Sequence, residues 1–466
     1  MSTRGARRRE RGRIRYRRGL ATVVAALTVI SGAAAAVGLV QGPRATAIQQ
    51  DPSGAISASG SRVIFTANEP LAAIDPAQVT VTPATDFTVD VSGRTVGIRF
   101  PTALDADTKY TVAIDGVTGT GGGPETAFET SFSTPKAEVL TLERNPNADD
   151  RIVAHILGDD GEKVILEASQ IDDFRVTSGY IVATLVDDDA AMHVIVTNRE
   201  TGERHEIPLP GAGTVTGLQV SERGQLYGFA FTDASAANGE GRINVLFTGS
   251  LASADPPSPV VTGGEEPSVD RWRFVPETSS LLLNSFEGDL TLVDRDSANG
   301  EVSSFGTALS IEGVARSTYT ALIDRLEDGI VELDLATGQS HPIDNLELSD
   351  DTVLAHILPL PGGTLRSYAQ LVDGIPTTSR IMRSGSGGEM HEVAHTGRGE
   401  ILQQMCASPS GQYVALTVSD TSGAPFDGGI QPLPELIETR IYDAESGEEK
   451  ATWPGFDASW CEVGPW

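Results

Sequence analysis

Between residues 51 and 134 apolar side chains recur at every second position: Val63 and Phe65, Val79 and Val81, Phe87, Val89 and Val91, Val96, Ile98 and Phe100, Val112 and Ile114, Phe128 and Phe132. A strand sends successive side chains to opposite faces, so this period of two predicts strands with one buried face. Turn formers separate the runs, at Asn68-Glu69-Pro70, Ser92-Gly93-Arg94 and Gly121-Gly122-Gly123-Pro124. Their spacing suits a sandwich of about seven strands.

From Lys136 onward a different unit repeats: a strand, a tight turn with Gly, and a second strand. The copies are Arg151 to Leu166, His193 to Pro210, Ile243 to Val261, Leu290 to Phe305, Ile330 to Ile343, Arg380 to Val393 and Arg440 to Trp453. Gly is required there because hairpin turns use positive φ, which Gly adopts without steric cost. Between these hairpins come a turn and an apolar run, as in Gly179 to Ala183, Gly224 to Gly228, Ser280 to Leu283 and Ser408 to Ala415. Seven units of about 47 residues, four strands each, predict a seven-bladed β-propeller, with six or eight blades as the alternatives.

A third pattern is a run from Gly19 to Gln41 with no ionisable residue, preceded by nine arginines in the first 18 residues. At 1.5 Å per helical residue the run is long enough to cross a bilayer. The arginines fix the amino terminus in the cytoplasm by the positive-inside rule. The alternative is a signal peptide cleaved near Ala47, where Ala45-Thr46-Ala47 supplies small residues. The expected organisation is therefore all-β after a membrane helix. It comprises a cytoplasmic basic segment (1–18), a signal-anchor helix (19–41), a linker (42–50), a sandwich (51–135) and a propeller (136–466).

Two resemblances accompany this reading. Phe65 to Leu71, Leu104 to Val112 and the closing Ser131-Phe132-Ser133-Thr134-Pro135 resemble a bacterial Ig-like domain of the S-layer type. The resemblance implies a spacer or adhesive module. The phrase Ser408-Pro409-Ser410-Gly411-Gln412-Tyr413-Val414-Ala415 and the repeat length resemble propellers of the WD40-like and Tol-associated kind. Such rings are commonly closed by giving the last strand of the chain to the first blade. That implies that Phe456 to Trp466 complete the blade beside Glu138 to Leu142. It also places Cys406 and Cys461, the two cysteines of the chain, on neighbouring innermost strands. A disulfide between them is the expectation, with two buried free thiols as the alternative.

Composition narrows the function. With 64 acidic against 34 basic residues and a net charge of -30, the chain is unsuited to nucleic acid, and the nine amino-terminal arginines leave the remainder more acidic still. His391 and His395 are spaced i, i+4, which binds metal on a helix, whereas this stretch reads as strand. The other histidines, His155, His193, His205, His341 and His356, stand apart. Acidic clusters occur at Asp172-Asp173, Asp187-Asp188-Asp189 and Asp294 to Glu301; the last is nearest to a calcium loop but has Ala298 at the third ligand position, and reads as a solvated hairpin turn. Trp272, Tyr227, Tyr319, Tyr368 and Trp460 are candidates for a sugar-binding funnel or, alternatively, for packing between blades. No Gly-x-Ser-x-Gly elbow occurs. No catalytic, metal or cofactor site is expected. The reading is a non-catalytic, membrane-anchored envelope protein, exported, whose propeller binds an unidentified protein, peptide or glycan. The alternative is a propeller enzyme acting on extracellular carbohydrate.

Overall fold

The alternating runs form strands throughout a computed structural model that describes residues 42–295, 302–343, 351–385, 387–420, 425–427 and 429–465, with Val23 and Thr28. The basic segment 1–18 and nearly all of the expected membrane span 19–41 lie outside the described residues. Among the described residues no helix is long and apolar enough to cross a membrane. The chain divides into two compact units.

The first unit takes in the described part of Met1–Asp51, with Arg62–Phe100 and Lys109–Phe132. One sheet orders Ala45–Gln49, Arg62–Ala67, Thr95–Arg99 and Thr88–Ser92; the other orders Val79–Thr82, Lys109–Val117 and Thr126–Ser133. The predicted alternation is realised, since Val63, Phe65, Val96, Ile98, Val112 and Ile114 are all buried while their neighbours, Gly97 apart, are less so. Phe65 from one sheet and Phe128 from the other stack at 5.8 Å between ring centroids. The stretch 42–50, expected as a linker, carries the edge strand Ala45–Gln49, with Ile48 opposite Phe65. All five of its residues are exposed, so no buried face marked it in the sequence.

The second unit is built from seven antiparallel sheets in chain order, spanning 138–168, 171–207, 213–259, 269–307, 310–342, 352–395 and 400–454, hereafter blades 1 to 7. Blades 2 to 7 have four strands each; blade 1 has three. The first strands of blades 2 to 6 lie side by side around the axis. Each apolar cluster of this unit spans at least two neighbouring blades. Val182, Val194 and Val196 of blade 2 meet Tyr227, Phe229 and Phe247 of blade 3, and Leu226 and Leu246 of blade 3 meet Trp272 and Phe274 of blade 4. Fully burying one such side chain contributes roughly 1.5 to 3 kcal/mol, so each blade depends on the next. The seven predicted hairpins are the outer two strands of the seven blades.

Those hairpins share one turn chemistry. Asn198, Asp334 and Asp443 each place a side-chain Oδ1 on the backbone N–H groups two and three residues on, and each backbone carbonyl accepts from Gly202, Gly338 or Gly447 at 2.8 to 2.9 Å. The glycines have φ of 73°, 74° and 70°. The Thr337 and Ala336 N–H groups hold the Asp334 carboxyl below its ordinary range. The cluster Asp294 to Glu301 has the same spacing, but 296–301 lie outside the described residues.

Ring closure uses the carboxy-terminal residues. Leu142 and Phe456 exchange both backbone hydrogen bonds, at 2.8 and 3.0 Å, and Ser459 donates to the Leu140 carbonyl at 2.9 Å. This is a bridge rather than the extended strand expected for 456–466. Gly455 and Asp457 take positive φ, 92° and 57°, and turn the chain away after one pair. Two segments within the range 51–135, namely 52–61 with its helix Pro52–Ser57 and 101–108, belong to the propeller unit. Ala106 N–H donates to Gln412 Oε1 at 2.8 Å and Ser59 N–H to Glu277 Oε1 at 3.4 Å, so both sit on turns between first and second strands.

Candidate functional site

Two places concentrate polar chemistry. The first lies at the axis. Arg175, on the innermost strand of blade 2, pairs with Asp457 Oδ2 at 2.6 Å and Asp173 Oδ1 at 2.7 Å. Gln404 of blade 7 donates to the other Asp457 oxygen at 2.9 Å and to the Val463 carbonyl at 2.7 Å. Arg175 Nε donates to the Glu462 carbonyl at 3.2 Å. Asp457 thus ties blades 7 and 2 across the closure, and residues 462–463 are held against the innermost strands. Arg175, Gln404 and Asp457 are each at most 3% exposed. Burial pushes Asp173 up to about 8, against the pull of Arg175, and the Asp457 carboxylate adds to the rise. Arg273 of blade 4, also buried, donates to the carbonyls of Trp272 and Ile311, and burial lowers its basicity. Arg175, Gln404, Asp457 and Arg273 each reach another part of the ring.

Cys406 and Cys461 form a disulfide beside this network, with Cα atoms 5.2 Å apart. The expected pairing is present, and it sits where blade 7 meets the closing segment, among Val139, Leu157, Tyr413 and Ala458.

The second place is the end of the propeller from which the second-to-third-strand turns and the blade-to-blade connections all emerge. Antiparallel meanders require these two classes of connection to share one end. A cleft of about 150 Å³ opens there between blades 7 and 1, lined by Glu143, Arg144, Arg151, Asp427, Ile437 and Phe456 among others. Most of its charges are engaged: Arg144 pairs with Asp427 at 3.1 Å and lies 3.7 Å from Asp172, and Arg151 pairs with Glu143 at 2.5 Å, while Glu435 is exposed. The Arg144 guanidinium also lies 4.9 Å over the Phe456 ring.

Around the cleft this end is apolar at its tips. Of fifteen exposed large apolar residues described in the propeller unit, twelve lie on these connections or within two residues of them. Leu326, Ile375, Phe426 and Leu436 are 83%, 66%, 65% and 61% exposed. Ile156, Val164 and Val302 are the three that lie elsewhere.

The residues singled out in the sequence fall differently. His391 Nε2 meets the Ala444 carbonyl at 2.9 Å and His395 Nδ1 meets Glu392 Oε1 at 3.1 Å, so the two do not converge. Among the described residues no group of three potential ligands could hold a metal ion. His155 stacks on Trp453 at 4.6 Å, and burial lowers its pKa; burial likewise pushes His356 down to about 4. His193 lies between Glu206 at 2.8 Å and Asp187 at 3.1 Å, which raise its pKa. His205 and His341 sit on outer strands. Asp172 and Asp173 stand at the start of an innermost strand and face arginines. Tyr227, Trp272 and Tyr368 are buried at 0%, 3% and 3%, Tyr319 packs on the core of blades 4 and 5, and Trp460 stacks on Tyr413. These rings pack the fold and do not form a sugar platform. Arg175 and Gln404 escaped the sequence reading because isolated polar residues on a strand look like its solvent face, and Asp457 because its partners lie far off in the sequence.

No family model and no curated protein matches the chain. Among solved structures it is similar to the β-propeller domain of the Trilobed protease from Pyrococcus furiosus, at 9% identity and TM-score 0.46, covering 74% of this chain and 92% of that one. It is also similar to TolB from Acinetobacter baumannii, at 10% identity and TM-score 0.34, covering 81% and 83%. A prolyl endopeptidase matches at 11% identity and TM-score 0.48; there the similarity covers 68% of this chain and 50% of the enzyme. The assignment of this chain to the β-propellers rests on its seven successive sheets and the Leu142–Phe456 closure.

Proposed function

We propose that this is an exported, non-catalytic envelope protein in which the apolar stretch 19–41 anchors the chain, the amino-terminal sandwich serves as an Ig-like spacer and the propeller binds a macromolecule with its connection face. The observation that carries the binding role is the one-sided distribution of exposed apolar residues. Exposed apolar side chains gathered at one end of a fold point to an interaction surface, and here the tips come from blades 3 to 7 at one end. The disulfide supports export, since such bonds persist outside reducing compartments. A carbohydrate-acting enzyme would need carboxylates free to exchange protons beside an open cleft. Of the carboxylates lining the cleft, Glu143 and Asp427 are engaged by arginines, which leaves Glu435 where a pair is needed.

The test is site-specific photo-crosslinking in intact cells, with the reactive amino acid at Leu326 on the connection face or at Ile156 at the other end. Adducts formed from position 326 and not from 156 are expected. Equal yields at the two positions, or none at 326, would remove the reading.

A further inference from the structure

The connection face carries a charge pattern as well as an apolar one, and the two together define a partner. This inference rests on the binding role proposed above and adds the chemistry of what is bound. Exposed acids flank the apolar tips: Glu287 follows Phe286, Glu327 and Asp328 follow Leu326, Asp373 lies between Val372 and Ile375, and Glu435 precedes Leu436. The arginines on the same connections are consumed internally. Arg242 pairs with Asp233 at 2.9 Å, Arg325 donates to the Thr307 and Phe305 carbonyls at 2.8 and 2.9 Å, and Arg144 is held by Asp427. Arg398 is the exposed cation of these connections among the described residues. The face therefore offers apolar contacts inside a field of one sign.

That combination selects among occupants. An anionic lipid surface attracts basic segments and would be repelled here. A second copy of the chain docked symmetrically would set acids against acids, and like charges across an interface cost several kcal/mol. What fits is a polypeptide with apolar side chains on one side and Lys or Arg beside them. We propose that the connection face docks a cationic amphipathic polypeptide segment, with Leu326, Ile375 and Phe426 as apolar anchors and the neighbouring carboxylates facing its basic residues. Apolar burial supplies affinity, and the charge field supplies orientation and a salt-dependent on-rate.

The experiment uses the full chain in zwitterionic nanodiscs, with empty nanodiscs subtracted, and three labelled 18-residue helical peptides. One is amphipathic Leu/Lys, one amphipathic Leu/Glu, and one Lys/Ser of the same positive charge without an apolar side. The Leu/Lys peptide is expected to bind saturably at one per protein, at least tenfold tighter than either of the others, and to weaken as salt is raised. The triple variant Leu326→Ser, Ile375→Ser, Phe426→Ser should lose tenfold or more of that affinity with an unchanged melting curve. Should that triple variant fail to fold, the single variant Leu326→Ser, at the most exposed tip, is read in the same assay and is expected to lose several-fold. If the Leu/Glu peptide binds as tightly as Leu/Lys, the face remains a docking surface and the cationic partner is wrong. If folded variants bind Leu/Lys as the parent does, both the partner and the use of this face fail. Binding to phosphatidylglycerol vesicles that depends on the same three residues would make the face a membrane surface and overturn the proposal.

Discussion

Asp457 and Leu326 are both placed by the same blade geometry, yet one is 2% and the other 83% exposed, and the chemistry around each is opposite. At the axis, Arg175, Asp173, Asp457 and Gln404 answer one another and the carbonyls of the closing segment. On the connection face the arginines are withdrawn into internal pairs, and apolar tips stand beside acids in water. The difference teaches that the buried polar groups of this propeller serve construction, while its outward-facing apolar groups are the ones without a structural task. A buried ion pair adds little over an apolar substitute, but removing one partner is costly. An exposed leucine costs almost nothing to replace.

The contrast predicts a gradient of mutational effects. Asp457→Ala strands Arg175 and Gln404 at the closure and should destabilise the propeller by about 3 to 5 kcal/mol, read as a shift in the urea midpoint. Replacing both cysteines, Cys406→Ser with Cys461→Ser, opens a loop of 55 residues and should remove about 2 to 4 kcal/mol, seen in the same titration with and without reductant. An unchanged midpoint in either variant would show that closure is held elsewhere.

A further effect, small per pH unit, should appear in pH dependence. The unfolded Asp173 carboxyl loses its proton near 3.8, whereas the folded one keeps it until about 8. Between those values the unfolded state binds fewer protons, so this group makes stability fall as pH rises from about 4 to 8. Asp173→Asn should flatten the slope by at most about 1.4 kcal/mol per pH unit, measured by unfolding at pH 5, 6.5 and 8. A variant slope parallel to the parent's would place the proton on another group. Least of all, Leu326→Ser or Ile375→Ser should leave stability within about 0.5 kcal/mol; a larger loss would mean that these tips have packing partners.

How far the sequence led follows the same division. The outer hairpins were legible because Asn198, Asp334 and Asp443 with Gly202, Gly338 and Gly447 write the same local turn into the chain, and a local turn needs no distant partner. The disulfide was legible because two cysteines allow one pairing. The edge strand Ala45–Gln49 was hidden, since nothing along it is buried, and so were segments 52–61 and 101–108, whose apolar residues Ala55, Leu104 and Ala106 are too few to show a period. The axial charges were hidden for a different reason. Arg175 and Asp457 are 282 residues apart, and only closure brings them together. The apolar tips were each visible, but their shared end becomes apparent only once strand order fixes which turns lie together.

The Leu142–Phe456 bridge also sets a timetable. Leu140 finds Ser459 across 319 residues, so the second, third and fourth strands of blade 1 are synthesised first and wait for their innermost neighbour until nearly all the rest has emerged. Contacts that distant pay their chain-closure entropy late and slow folding. Until then Leu140, Leu142, Ile152 and Leu166 lack Phe456, with which they share a core, and the edge of that sheet is open to pairing with another chain. During synthesis and passage to its destination, the unfinished ring is therefore the form of this protein most in need of a chaperone.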